Sequence, residues 1–374
     1  MSLDPWHYPR TEFTHDTFVS LTRGPIASMS LFGPRRTGKT EFLLKDLGAL
    51  AGDSYGHRVL YASFWQTGAD PLAMMLYACD TALRPRSYGE RVGAWLGNLP
   101  VKIRLGALKG MAEVEIDLSR KQSPRPADDL LLLDSYLDRL GDSRKPAILL
   151  FDEFQEIAGH DQAEQVMAGL RTSLDTRKSG VRTIFTGSSQ VALKKVFDGR
   201  KAPFYRFAHP LHLPALDAGF VAHQLKVFHQ VYRRKIDPAR AAHVFERFDR
   251  NPLFLQRWLM SMGTDRTLDE DAAVTRTFAD LAAELDYDRT WRKLAPYHRA
   301  MARILAERAG DPMGEAGAAR YAELLGTKAP IPQTRQSYLR TLERRGIVDQ
   351  WDREWRIADP IFEAWILDRG PDAF

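Results

Sequence analysis

The 374-residue sequence predicts an α/β fold in which a parallel sheet is followed by a helical region. Over the first 190 residues, short apolar runs alternate with longer mixed segments, a pattern typical of strand–helix–strand units in a parallel sheet. From Asp217 onward, apolar residues recur at helical spacing. A glycine-containing motif between the first apolar run and a helix-like segment predicts a functional loop at one edge of the sheet.

The composition is that of a globular protein, with 44% apolar and 27% charged residues. No apolar run approaches the roughly 18–20 residues that a membrane helix needs. The N-terminus lacks the basic and then apolar order of a secretory signal. The single cysteine, Cys79, excludes an intrachain disulfide. We therefore expect a cytoplasmic protein without a membrane segment.

The net charge of +5 is concentrated in one block of the chain. Residues 1–189 carry 23 basic and 23 acidic side chains, whereas residues 190–257 carry 13 basic against 5 acidic. A local surplus of eight positive charges suits a polyanion such as a nucleotide or a nucleic acid. A solvated helical face is the alternative interpretation of the same pattern.

Four apolar runs predict the strands of the sheet, and a long insertion lies between the second and third of them, at about residues 84–140. Within the insertion, the alternating stretch Ala112–Leu118 predicts an extra strand, and an amphipathic helix is predicted from Asp128. The predicted strands of the sheet are Ile26–Phe32, Arg58–Phe64, Ala147–Phe151 and Arg182–Phe185.

The glycine-containing motif fits the pattern G-x-x-x-x-G-K-[ST] without departure, and it lies between an apolar strand and the helix-like run Glu41–Leu50. The two glycines let backbone N–H groups point at phosphate oxygens. Lys39 is expected to reach the β- and γ-phosphates, and the Thr40 hydroxyl to ligate Mg²⁺. Arg35 and Arg36 occupy variable positions of the motif. The alternative to a contact of their side chains with phosphate is that they face solvent or a neighbouring acidic side chain. The motif, our candidate nucleotide-binding loop, comprises Gly33, Pro34, Arg35, Arg36, Thr37, Gly38, Lys39 and Thr40.

Two further strand ends carry polar side chains. The apolar run Ile148–Phe151 ends in Asp152, expected to support Mg²⁺, and Glu153, expected to act as the general base toward the attacking water. The next strand ends in a hydroxyl-rich segment, where Ser188 is the first candidate for sensing the γ-phosphate, with Thr186 and Ser189 as rivals. A turn that uses Gly and Ser for their backbone preferences is the alternative there.

These motifs together resemble the archaeal-type ATPase family, in the STAND and origin-recognition-like branch of the AAA+ P-loop ATPases. The resemblance rests on GPRRTGKT, ILLFDEFQEI (148–157), the TGSS strand end and the later segment Ala202–Arg206, and it covers about residues 20–370. It implies ATP as ligand and three domains: a P-loop ATPase core (1–215), a helical lid (216–293) and a winged-helix domain (294–374).

The resemblance also carries roles onto single residues. Arg206 matches a basic residue that supplies charge to the nucleotide of its own or a neighbouring subunit. Pro252 matches a proline that packs against the adenine ring. The sequence departs from the family at Tyr8–Glu12, a degraded form of its Gly-Arg-Glu motif, and at Arg250-Asn251-Pro252, where a Gly-x-Pro is expected. Arg250 is a candidate lid arginine.

The C-terminal unit has the pattern of a winged helix: three helices at Pro296–Ala309, Ala318–Leu325 and Pro332–Arg345, then a hairpin and a closing helix. The third helix carries the DNA-contact candidates, while residues 294–374 have no net charge. Double-stranded DNA and a protein partner both remain open. The DNA-contact candidates are Arg335, Arg340, Arg344 and Arg345.

The sequence thus predicts a Mg²⁺-dependent ATPase whose nucleotide state repositions the lid and the winged helix. A nucleotide-gated DNA- or protein-binding regulator with little turnover is the second hypothesis. Either of them is compatible with an oligomer that depends on the bound nucleotide.

Overall fold

The structure is a computed structural model that describes residues 4–34, 36–64, 70–83, 126–142, 144–187, 190–198, 202–351 and 354–370. The chain forms two compact units. The first comprises Met1–Ser2, Pro9–Gly33 and Gly38–Pro214, and the second comprises Leu3–Tyr8, Pro34–Thr37 and Ala215–Phe374. Nothing in this division tests the predicted boundaries after residues 215 and 293, which stay predictions.

The first unit is built on a five-stranded sheet in the order β2-β3-β4-β1-β5, with every neighbouring pair parallel. The α/β fold class that the sequence predicts is therefore confirmed. β1 lies between β4 and β5, so the loop that follows β1 leaves from the interior of the sheet. The strands are β1 (Ser28–Phe32), β2 (Val59–Ser63), β3 (Ala147–Asp152), β4 (Val181–Thr186) and β5 (His209–His212).

The four predicted strands are β1 to β4, each displaced by no more than two residues at either end. β5 was not predicted, because its sequence His-Pro-Leu-His is polar and contains proline. Proline is tolerated at the edge of a sheet, where β5 lies, since an edge strand needs fewer backbone donors. The expected strand Ala112–Leu118 lies outside the described residues.

Helices cover both faces of this sheet. The helix after β1 starts at Lys39–Glu41 and continues through wider π-type turns at Phe42–Gly48 and Leu50–Ser54. The helices of the first unit are α1 (Thr11–Arg23), α2 (Lys39–Glu41), α3 (Pro71–Leu83), α4 (Pro126–Leu140), α5 (Ala163–Asp175) and α6 (Gln190–Asp198).

The alternation of side chains along β3 decides where its terminal acid points. Ile148 and Leu150 pack in the core cluster formed with α1 and the helix after β1, whereas Leu149 and Phe151 pack on the other face. Because residues two apart in a strand share a face, Asp152 lies on the face covered by the helix that begins at Lys39.

The second unit is helical apart from one antiparallel hairpin. A single buried cluster runs through it, from Phe220 through Trp258 to Leu339 and Ile366. The predicted order of three helices, hairpin and closing helix is observed from Pro296 onward. Its elements are α7 (Ala218–Tyr232), α8 (Pro238–Arg247), α9 (Pro252–Thr264), α10 (Glu270–Glu284), α11 (Tyr287–Arg292), α12 (Pro296–Ala306), α13 (Glu315–Leu325), α14 (Pro332–Arg344), β6 (Val348–Trp351), β7 (Glu354–Ile357) and α15 (Pro360–Asp368).

Within the described ranges, no helix combines the length and the apolar character that crossing a bilayer requires.

Candidate nucleotide-binding site

The glycine-containing loop turns directly from the carboxyl end of β1 into the helix at Lys39. Gly38 has φ of 90°, a left-handed conformation that glycine adopts without strain. The Lys39 side chain is buried, and its Nζ donates to the Gly33 carbonyl oxygen at 2.8 Å. The Lys39 side chain therefore turns back across the loop to the first residue of the motif.

Asp152, at the end of β3, faces this lysine-bearing helix. Its Oδ2 accepts hydrogen bonds from the Thr40 hydroxyl at 2.7 Å and from the Tyr61 hydroxyl of β2 at 2.8 Å. Burial raises the pKa of Asp152, and the negative charge of Glu153 raises it further, while the two hydroxyl donors and Lys39 oppose that rise. Two hydroxyls thus hold the Asp152 carboxylate on the face of the sheet that the helix from Lys39 covers, and the motif predicts only one of them, that of Thr40.

The donor set at this point fits a magnesium ion. A Thr40 hydroxyl and an Asp152 carboxylate within 2.7 Å of each other are hard oxygen ligands, the type that Mg²⁺ prefers. The loop glycines and Lys39 lie beside this donor set, where the sequence predicts phosphate binding.

Glu153 follows immediately and is also buried. Its backbone has φ of 54°, the left-handed region that non-glycine residues rarely adopt and that recurs at functional sites. Its N–H donates to Asp152 Oδ1 at 3.1 Å, and its Oε2 accepts from Gln155 Nε2 at 2.6 Å. The turn after β3 therefore directs the two adjacent carboxylates into different hydrogen-bond networks.

The end of β4 lies beside this turn. Thr186 is fully buried, and the next residue, Gly187, is packed against Gln155 so closely that an added Cβ would meet Oε1 at 1.9 Å. Ser188 and Ser189, the first sensor candidate and one rival, lie outside the described residues. Thr186, the other rival, has a buried Oγ1 without a hydrogen-bond partner in the described part of the chain.

The variable positions of the loop differ in their surroundings. Arg35 lies outside the described residues. Arg36 belongs to the segment Pro34–Thr37, which groups with the second unit, and its Nη1 donates to Asp359 Oδ2 at 2.7 Å. Thr37 donates its hydroxyl to the Pro34 carbonyl oxygen at 2.8 Å. Arg36 thus binds a carboxylate in the structure, the alternative that the sequence left open for it.

Two residues of the site were missed by sequence reasoning. Tyr61 pairs with Leu150 in the β2–β3 register, and a tyrosine inside an otherwise apolar strand next to the acid-bearing strand was the available signal. Arg10 lies over the loop, with its Nη1 3.4 Å from the position of a Cβ on Gly38. Its backbone N–H donates to Asp46 Oδ2 at 3.4 Å. Arg10 belongs to the segment Tyr8–Glu12 that the sequence treated as a degraded motif.

Arg206 lies at the amino-terminal edge of the sheet, three residues before β5. The loop leaves from the opposite edge, and a five-residue strand separates the two by about 16 Å. Arg206 lines a cavity of about 490 Å³ with Lys178 and His209. This placement separates Arg206 from the glycine-containing loop of its own chain.

The lid residues lie at the start of α9. Asn251 Oδ1 caps the helix by accepting from the N–H groups of Leu253 and Phe254, and Pro252 occupies the first helical position, where proline is favoured. Arg250 is exposed, has φ of 54° and donates to the Glu246 carboxylate at 2.9 Å. A contact of Pro252 with an adenine ring and a lid role for Arg250 stay predictions.

The four arginines proposed for DNA contact fall into two groups. Arg335 is buried, and its guanidinium donates to the carbonyl oxygens of Pro312, Met313 and Gly314. Its side chain therefore ties α14 to the segment before α13, and we correct its assignment as a DNA-contact candidate. Arg340, Arg344 and Arg345 are exposed, while Leu339 and Leu342 of the same helix are buried.

No protein-family model and no curated protein matches the sequence. Solved structures do match. The Walker-type ATPase PABY2304 of Pyrococcus abyssi has a TM-score of 0.66 at 17% identity, covering 96% of this chain and 95% of that chain. The ORC2 protein of Aeropyrum pernix, solved in ADPNP–ADP complexes, has a TM-score of 0.56 at 17% identity, covering 96% and 90%. At these identities the likeness concerns the fold.

The strand order, the loop after β1 and the match along nearly the whole of two solved chains, one of them a Walker-type ATPase, agree with one another. This chain therefore has the fold of the AAA+ P-loop ATPases, a parallel five-stranded sheet followed by a helical C-terminal region.

Proposed function

We propose that this protein is a Mg²⁺-dependent ATPase that acts as a nucleotide-driven switch, in which the ATP or ADP state repositions the helical lid and the winged helix. The observation that carries the proposal is the group formed by Lys39, Thr40 and Asp152 beside the glycine loop. ATP is favoured as the ligand because the similar ORC2 structure was solved with ADPNP and ADP.

Each residue of the site has a role in this proposal. Lys39 and the loop N–H groups bind the β- and γ-phosphates, and Thr40 with Asp152 would hold Mg²⁺, which neutralises phosphate charge when bound. Glu153 takes the proton of the attacking water. Ser188, which follows β4 in the sequence, senses the γ-phosphate, and Pro252 packs against the adenine ring.

Arg206 is proposed to act on a neighbouring subunit. Its position at the edge of the sheet away from its own phosphate loop supports that assignment, and a cation at the γ-phosphate stabilises the charge of the transition state. This role requires an oligomer, which we expect to form when ATP is bound.

The test of nucleotide binding is Lys39→Ala. We expect this variant to lose measurable ATP affinity, because a buried charged contact to phosphate is removed and a charged hydrogen bond contributes about 1.5–3 kcal/mol. Titration with a fluorescent ATP analogue measures it, and Lys45→Ala, on the same helix, is the control. Equal affinity in Lys39→Ala and wild type would contradict the assignment.

The test of turnover is Glu153→Gln. The amide keeps the size of the side chain but cannot accept the proton, so hydrolysis should slow by about 10²–10⁴-fold while ATP stays bound. Single-turnover phosphate release measures the rate. A wild-type rate that is itself negligible would favour the second hypothesis, a binding switch with little turnover.

A nucleotide-gated DNA-binding regulator is the second candidate function. The exposed arginines 340, 344 and 345 on one helix favour it, because a row of cations on a helix suits the phosphate backbone. In the other version of this candidate function, the same region of the chain binds a protein partner.

A further inference from the structure

We propose that Gln155 is a positioning residue that orients Glu153 for proton transfer, and that Gly187 at the end of β4 is a glycine so that this amide can reach its place. The inference rests on the proposed function, because it concerns the carboxylate to which we assign the general-base role. It assigns roles to two residues that neither the loop motif nor the acidic pair requires.

The hydrogen bonds of Gln155 show what its amide does. Nε2 donates to Glu153 Oε2 at 2.6 Å and to Glu156 Oε1 at 3.0 Å. A side-chain amide has two N–H donors, so both are directed at carboxylates. Each of the two N–H donors therefore restrains the rotamer of one acidic side chain.

Glu153 needs such a restraint more than an ordinary strand residue does. Its backbone lies in the left-handed region, so its side chain leaves the chain in a direction that neither the strand nor the following helical turn sets. A base displaced by about 1 Å can lose about 10²-fold in rate, so the orientation of the carboxylate matters as much as its presence.

The other end of the amide lies against the neighbouring strand. Gly187 carries no side chain, and a Cβ there would lie 1.9 Å from Gln155 Oε1 and 2.9 Å from its Cδ. The remaining contact, Leu193 Cβ at 3.5 Å, is an ordinary one. The absence of a side chain at Gly187 is therefore what admits the Gln155 amide.

The burial of the amide argues against a purely structural filler. Gln155 is 7% exposed, and its Oε1 has no hydrogen-bond partner in the described part of the chain. An unsatisfied buried acceptor costs about 1–3 kcal/mol, whereas an apolar side chain of the same volume costs none of that. A buried amide at this position is therefore better explained by the hydrogen bond that its Nε2 donates to Glu153 than by packing alone.

The first test is Gln155→Met, which keeps the length and volume of the side chain and removes the donor. We expect kcat for ATP hydrolysis to fall by about tenfold with KM and ADP affinity unchanged, since binding groups are untouched. A fall in kcat with KM unchanged separates a positioning role from a structural defect, which would weaken nucleotide binding as well.

The second test uses the contact with Gly187. Gly187→Ala alone should lower kcat, because its Cβ displaces the amide, whereas Gly187→Ala added to Gln155→Ala should lower it no further. Gly159→Ala is the matched control, since nothing lies within 4 Å of a Cβ there. Each variant is first checked by its ADP affinity and its urea midpoint.

The two ways to fail are separable. Wild-type protein that binds ATP and hydrolyses none contradicts the proposed turnover and this positioning role with it. Wild-type hydrolysis whose kcat Gln155→Met leaves unchanged overturns the positioning role only. A higher kcat in Gln155→Met also overturns it, because the amide would then restrain the base instead of orienting it.

Discussion

Asp152 is a buried acid whose environment favours its neutral form. Burial and the adjacent Glu153 charge raise its pKa, while Thr40 and Tyr61 both donate to the same oxygen, Oδ2. An asparagine oxygen can accept the same two hydrogen bonds without a charge, and only the acceptor that Oδ1 offers to the Glu153 N–H is lost. The acid is thus retained at a cost in stability, which is typical of residues kept for function.

We therefore expect Asp152→Asn to raise the melting temperature of the nucleotide-free protein while weakening its Mg²⁺-dependent ATP binding. The sign follows from linkage. A carboxyl whose pKa is raised in the folded state destabilises the fold as pH rises above its ordinary value of about 4. The gain over wild type should be small near pH 4 and grow toward neutral pH. Thermal melts at several pH values measure it, and a constant gain would contradict the expectation.

At single residues, the sequence predicted groups that a motif specifies and missed those that only packing brings together. Thr40 and Asp152, both placed at the site by motif and strand end, contact each other because parallel strands end at one edge of the sheet, and their roles stay predictions. Tyr61 enters through a contact across neighbouring strands, which no local pattern encodes. Gln155 bonds the nearby Glu153 and Glu156, and its amide also packs against Gly187 at the end of the next strand. Arg335 looked like its exposed neighbours in the sequence, and only the carbonyl groups around it distinguish it.

Among the elements, the start of α15 combines a helix cap with a tertiary contact. Asp359 Oδ1 accepts from the Ile361 N–H, and its Oδ2 accepts from the buried Tyr287 hydroxyl at 2.6 Å and from Arg36. Burial raises the pKa of Tyr287, and the Asp359 charge adds to that rise, so the phenol stays neutral and remains a donor.

We expect Asp359→Ala to destabilise the protein by about 2–4 kcal/mol, from a missing cap of about 1 kcal/mol and a buried hydroxyl left without an acceptor. Urea unfolding followed by tryptophan fluorescence measures the effect. Tyr287→Phe is the matched control, because it removes the hydroxyl and keeps the cap, and it should cost less than Asp359→Ala. Equal destabilisation by the two variants would mean that the cap contributes nothing.

The prediction of elements succeeded where one periodicity dominated. β3 is buried along its whole length and appears as a continuous apolar run, and α14 keeps its leucines on one face. β5 failed because an edge strand is partly solvated and need not be apolar. The helix after the loop was predicted as regular, whereas its turns widen from Phe42 onward, a change that no residue type in the segment marks.

On the scale of the whole molecule, the distribution of charge decides how DNA binding must be tested. The chain has a surplus of eight positive charges within residues 190–257 and none within 294–374. A weak, salt-sensitive affinity for DNA is therefore expected from the basic block alone. A drop in affinity on removing any two arginines would not identify the helix that enters a groove.

The test compares two double variants that remove the same charge. If α14 lies against DNA, Arg340→Ala with Arg344→Ala should flatten the dependence of log K on log salt by about two units, one for each phosphate that the variant no longer neutralises. Arg233→Ala with Lys235→Ala, two exposed cations of the basic block, is the matched control and should change the slope less. The reverse order would assign DNA binding to the basic block and make the C-terminal helices a docking surface for protein. A third outcome is that both variants leave the slope unchanged while the wild type binds DNA no better than a neutral protein does at physiological salt. In that case the second candidate function would be the binding of a protein partner.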